Sequence, residues 1–164
     1  MENLSKNEIK IISDLEFRQK YFFTRDDIRK HFDTDTKVTK TIYHLRRKGR
    51  IEKLNSFKYY LIPIKARTGR WTENPYIIAD EIFNGKDYFI GGWAAAHYWG
   101  LTDQVPMQFD IWTTRRQGKT KILGVRFNFH RTTTRRIKKA VIKHVGNHPF
   151  RIQDFESTRK WFKK

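Results

Sequence analysis

The chain has 164 residues and no cysteine, which excludes a disulfide framework, thiol catalysis and cysteine-based zinc sites. Long apolar runs are missing as well. No stretch approaches the roughly 18 consecutive apolar residues of a membrane span, and the opening MENLSKNEIK lacks the apolar centre of a signal peptide. The expected setting is therefore the cytoplasm, with no membrane partner. Catalytic motifs are equally scarce: there is no Walker A loop, no dinucleotide-binding glycine motif and no nucleophile elbow. Asp110 could begin a nuclease carboxylate set, but no Glu-x-Lys partner follows it. His144 and His148 have a spacing that could hold a metal, yet Gly146 breaks any helix there and no further ligand lies nearby. His97 reads as a core or rim histidine. The sequence thus argues for no enzyme, no metal and no cofactor.

Negative charge is the remaining deficit. Lys and Arg number 35 against 17 Asp and Glu, a formal net charge of +18. Such a field recruits polyanions, nucleic acid before anionic membrane. The imbalance is uneven: residues 1–64 carry 15 basic against 9 acidic side chains, residues 65–114 carry 4 against 6, and residues 115–164 carry 16 against 2. A nearly neutral middle separates two basic regions. With 38% hydrophobic and 15% aromatic residues, the chain can nevertheless build a core. There is no internal repeat or low-complexity segment.

The first basic region is patterned. Ser5 and Glu8 form a capping box for a helix to about Gln19, with Ile9, Ile12 and Leu15 or Glu16 along one side. Tyr21-Phe22-Phe23 is a short extended piece. Thr24, with Asp27 three residues on, starts a short second helix that uses Ile28 and Phe32 as apolar contacts. A polar turn then leads into Asp35–Gly49, a helix with Asp35 or Thr36 as N-cap and Gly49 just past its end. Val38, Ile42 and Leu45 fall on one face of it. Thr36, Lys37, Lys40, Thr41, His44 and Arg47 fall elsewhere, where they can meet base edges or phosphates. Lys48, Arg50 and Lys53 are assigned to phosphates. After Gly49 the period changes to two, and Arg50–Leu54 and Lys58–Ile62 make a hairpin that brings Lys53, Asn55, Ser56 and Lys58 near the backbone of an adjacent groove. The order of elements predicts a winged helix-turn-helix over residues 1–65.

Residues 63–71 read as a linker with a turn at Gly69. Asn74-Pro75 then opens a helix that stops at Asn84-Gly85. Tyr88-Phe89-Ile90 is a buried strand, and Gly91-Gly92 lead into a small-residue helix closed by Gly100. Met107–Thr114 and Ile122–Arg131 alternate as strands, and Arg115–Lys121 joins them as a basic hairpin tip. A strand over Ala140–Val145 and an amphipathic piece over Asp154–Phe162 follow. Arg115, Arg116, Lys119, Lys121, Arg126, Arg131, Arg135 and Arg136 make a second basic surface: a nucleic-acid contact, for DNA or RNA, or a solvated face.

The segment Phe89–Pro106, with its strand, small-residue helix, Trp99-Gly100-Leu101-Thr102 ending and proline before a β segment, resembles the AbiEi family. These are antitoxins and transcriptional regulators of type IV toxin–antitoxin systems. The resemblance covers roughly residues 5–150. It implies an α+β protein: a winged helix-turn-helix followed by a small AbiEi-like antitoxin domain over residues 70–164. It also implies a repressor that binds inverted repeats in its own promoter, as a monomer or weak dimer on double-stranded DNA. The implied functional partner is a nucleotidyltransferase toxin, counteracted without a stable complex. Family members usually continue past Asn147–Phe150 through an acidic, helical stretch, so a short or truncated member is expected. The alternative is a general DNA- or RNA-binding protein that acts through the basic C-terminal surface.

Overall fold

A computed structural model describes residues 3–66 and 71–164, and the chain divides into two units, Met1–Trp71 and Thr72–Lys164. The turn expected at Gly69 lies outside the described residues. Both units mix helices and strands, so the protein is α+β.

In the first unit, α1 (Lys6–Phe17) opens on the anticipated capping box: the Ser5 amide donates to Glu8 Oε2 at 2.6 Å and the Glu8 amide donates to Ser5 Oγ at 3.3 Å. Its buried face is Glu8, Ile11, Ile12 and Leu15, one i, i+3, i+4, i+7 stripe. Ile9, expected inside, is exposed, because it sits one residue off that stripe. β1 (Phe22–Thr24) leads directly into α2 (Arg25–Arg29), whose start is fixed by Asp27 accepting the Thr24 amide at 2.7 Å.

The N-cap of α3 (Asp35–Arg47) is Thr34, not Asp35 or Thr36. Thr34 is extended at φ −133° and its hydroxyl accepts the Lys37 amide, whereas the next two residues are already helical. Gly49, at φ +65°, turns the chain out of the helix. β2 (Ile51–Lys53) and β3 (Lys58–Leu61) form the hairpin, and β1 pairs with the other edge of β3, giving an antiparallel sheet of order β1-β3-β2. Val38, Ile42 and Leu45 join Ile11, Leu15, Phe23 and Ile28 in one apolar cluster. At about 1.5–3 kcal/mol per fully buried aliphatic side chain, this seam fixes which face of α3 looks outward.

The second unit begins with α4 (Pro75–Phe83), capped by Asn74 and ended by Asn84 in the left-handed region. β4 (Tyr88–Gly91) runs into α5 (Gly92–Tyr98), and then come β5 (Phe109–Thr113), β6 (Gly118–Ile122), β7 (Val125–Arg131), α6 (Thr134–Ile137), β8 (Val141–Val145), β9 (His148–Ile152) and α7 (Phe155–Phe162). The six strands form a mixed sheet of order β6-β7-β5-β4-β9-β8.

This corrects the expected hairpin. β5 and β7 are parallel neighbours, and the basic connection holds its own edge strand, β6, which turns back on β7 through Leu123 at φ +49° and Gly124 at φ +81°. Two consecutive positive φ values make the tight two-residue turn that fits strand twist, so the reversal falls at Leu123-Gly124 and not at Arg115–Lys121.

Candidate nucleic-acid interface

α3 is held by its apolar seam, so its remaining surface faces solvent. Thr36, Lys37, Lys40, His44 and Arg47 are exposed and Thr41 is half-buried. Lys37 reaches back to Asp33 at 2.8 Å, an exposed i, i+4 pair that a phosphate can displace at little cost. The face also carries two side chains that the sequence reading passed over. Tyr43 is 59% exposed with its ring edge-on to His44, and Arg46 lies beside it. The signal was an aromatic residue outside the 38-42-45 seam. Together with Arg47, Ile51 and Lys53, Tyr43 and Arg46 line an open concavity of about 640 Å³ between α3 and the hairpin.

Two expected phosphate contacts are committed elsewhere. Lys48 Nζ donates to Glu8 Oε2 at 2.8 Å and to the Asn3 carbonyl at 2.9 Å, with only 15% of its side chain exposed. Burial pushes the Glu8 carboxyl up, but Lys48 and the Ser5 hydrogen bonds outweigh it and the net shift is downward. Lys48 is therefore an internal counter-ion that ties the end of α3 to α1. Arg50 donates to the Ile62 carbonyl at 3.3 Å and its Nε is buried. In the hairpin, Asn55 Oδ1 accepts the Phe57 and Lys58 amides at 3.1 and 2.9 Å, so this side chain shapes the turn. Lys53 and Ser56 are exposed and Lys58 is half-buried.

The second basic surface is not one patch. Arg115 pairs with Asp87 at 3.1 Å, Arg131 donates to the Thr114 carbonyl, and Arg116 lies over the Phe129 ring at 4.1 Å, where burial lowers its pKa. Arg135 and Arg136 lie on α6, outside the β6–β7 hairpin. On that hairpin, Lys121 and Arg126 stand directly opposite each other. Directly opposed like charges on adjacent strands are unfavourable.

The same face carries a polar cluster. His130 Nε2 lies 2.7 Å and Asn128 Nδ2 2.9 Å from Asp110 Oδ1. A Cβ on Gly92, at φ +58°, would come within 3.2 Å of the other Asp110 oxygen, and one on Gly91 would run into the Trp112 ring at 2.6 Å, which accounts for both glycines. Among the described residues no group of three or more His, Cys, Asp or Glu is arranged to hold a metal.

No family model matches the chain, and no curated protein matches it. Its structure is similar to the crystal structure of the RV2827C protein from Mycobacterium tuberculosis, with a TM-score of 0.57 and 18% identity over 79% of this chain and 46% of that one. The chain thus spans less than half the length of that protein, and the likeness is one of fold.

Proposed function

We propose that the first unit is a winged helix-turn-helix that binds double-stranded DNA. In this reading α3 enters the major groove, the β2–β3 hairpin is the wing, and the protein represses its own promoter by binding inverted repeats there. Thr36, Lys40, Thr41, His44 and Arg47 face the groove with Tyr43 and Arg46 beside them. Lys37, Lys53 and Lys58 meet phosphates. The observation that carries it is the α3 seam: three buried aliphatics on one side leave bases and hydroxyls on the other, with a hairpin directly behind. The resemblance of residues 89–106 to AbiEi proteins adds an antitoxin role for the second unit against a nucleotidyltransferase toxin, exerted in the cytoplasm and without a stable complex. The activity proposed is binding, not catalysis.

The test is a gel shift with the DNA upstream of the reading frame. Inverted repeats should be preferred over random duplex. For about six neutralised phosphates, log K should fall against log salt with a slope of about −5. Equal affinity for random DNA overturns the repressor reading. A second reading, general nucleic-acid binding through the C-terminal surface, is favoured by the Lys121–Arg126 opposition. It expects charge reversal at Lys119 and Lys121 to abolish binding while changes at Lys40 and His44 leave it intact.

A further inference from the structure

A cavity of about 340 Å³ opens where α6 and α7 approach β4. Its floor is Phe89, whose ring stacks on Trp112 at 5.6 Å and 5°. One wall is α7, whose Ser157, Lys160 and Trp161 recur at helical spacing, with Lys164 just past its end; all four line the cavity. The facing wall is the end of α6 and the residues after it, Arg136, Lys139 and Ala140. Trp161 is anchored edge-on to Trp93 at 5.9 Å and stays 38% exposed, so the ring is held in place yet accessible.

Arg136, Lys139, Lys160 and Lys164 surround one small space, and none of the four closes a salt bridge or side-chain hydrogen bond among the described residues. Asp154, an acidic side chain on the rim, caps α7 by accepting the Ser157 amide at 2.8 Å. Burial pushes its pKa up, but the Ser157 hydrogen bonds and the field of Lys139 outweigh this and lower it. Four gathered cations repel one another unless an anion joins them. All four are exposed, so the repulsion is partly screened, and the space favours an occupant that carries several negative charges. Phe89 is buried against Trp112, so the ring open to an occupant is Trp161, and it favours one that also carries a flat apolar group, because an aromatic ring gains from stacking against another π face. The volume suits a small molecule and not a folded partner.

We propose that this cavity binds a nucleotide, with its phosphates among Arg136, Lys139 and Lys160 and its base against Trp161. The nucleotide is either free or the phosphorylated end of a single strand. The site draws on no residue of α3, so it stands or falls independently of operator binding.

The test titrates the full-length protein with ATP, with pyrophosphate and with a short 5′-phosphorylated single-stranded RNA. Intrinsic tryptophan fluorescence and calorimetry report binding. ATP should quench Trp161 emission, and Lys139→Glu with Lys160→Glu should weaken binding about tenfold or more at 0.1 M salt. The same double variant should shift promoter DNA as the parent does. Trp161→Leu should weaken ATP but not pyrophosphate, with circular dichroism confirming that it is folded. Should only the 5′-phosphorylated RNA bind, and lose affinity in the same variants, the source is a strand end. Equal affinity for pyrophosphate and ATP overturns the nucleotide assignment. So does binding that ignores the charge reversals, or no binding to any of the three probes.

Discussion

The two basic regions differ in where their charges end. In the first unit a set of cations meets carboxylates of the same fold: Arg18 and Lys30 on Asp14, Lys20 on Asp27, Arg29 on Asp35, and Lys48 on Glu8. On the outward face of α3, Lys40 and His44 stay exposed and Lys37 is held by the exposed pair with Asp33. In residues 115–164 such neutralisation is arithmetically impossible, since 16 basic side chains face 2 acidic ones. The first region thus presents a selected set of charges on a rigid helix. The second presents a surplus, which the sheet spreads over an open face and a cavity.

The largest effect that sharpens this contrast lies at Lys48. As an internal counter-ion, its replacement by methionine leaves Glu8 buried without its cation and should destabilise the first unit by about 3–5 kcal/mol, read by urea unfolding. Glu8→Gln in the same chain should recover much of the loss. A Lys48→Met protein of parental stability but weakened DNA affinity would return Lys48 to the phosphate contacts.

Next in size is the outward face. Lys40→Glu with Arg47→Glu should lower operator affinity about a hundredfold, whereas Lys119→Glu with Lys121→Glu should change it less than threefold. Fluorescence anisotropy at fixed salt measures both. Equal losses would dissolve the distinction between the two regions.

Much of this contrast was legible in the sequence. The capping boxes, the 38-42-45 seam and the hairpin after Gly49 are local patterns, and local geometry realised them. The second unit was harder. Alternation in residues 107–114 and 122–131 marks strands but does not name their neighbours, so a parallel β5–β7 pair with an edge strand between them in sequence reads the same as a hairpin. β9 was missed because its first two residues, His148-Pro149, look like a turn. Ion pairs were illegible too: Lys48 and Glu8 stand 40 residues apart. The cavity at Phe89 draws on β4, α6 and α7, segments whose proximity only the sheet order creates.

A smaller effect concerns acid. Asp14 accepts from His31 at 3.0 Å and, despite partial burial, this bond with those from Arg18 and Lys30 holds its pKa at about 2, below the ordinary 3.8. A carboxylate depressed in the folded state adds stability above its unfolded pKa and loses it as pH falls through the folded value. The first unit should therefore weaken between about pH 4 and pH 2. Asp14→Asn should flatten that limb in a pH series of thermal melts, while carboxylates of the second unit leave it alone. The effect is modest because the partners are partly exposed and screened. An unchanged acid limb would remove Asp14 from the account.

The smallest effect decides what the surplus is for. Lys121 and Arg126 face each other across β6 and β7, and replacing Lys121 with glutamate turns a repulsive pair into an attractive one. If the face is only solvated, Lys121→Glu should stabilise the protein by about 0.2–1 kcal/mol and alter no binding. If the face holds nucleic acid, the same substitution should stabilise the free protein and weaken its affinity for single-stranded RNA severalfold. Stability and affinity then move in opposite directions, the mark of a charge kept for a ligand rather than for the fold. Thermal melts and anisotropy on one variant separate the cases. A Lys121→Glu protein that is less stable than its parent would show that neither account describes the β6–β7 face.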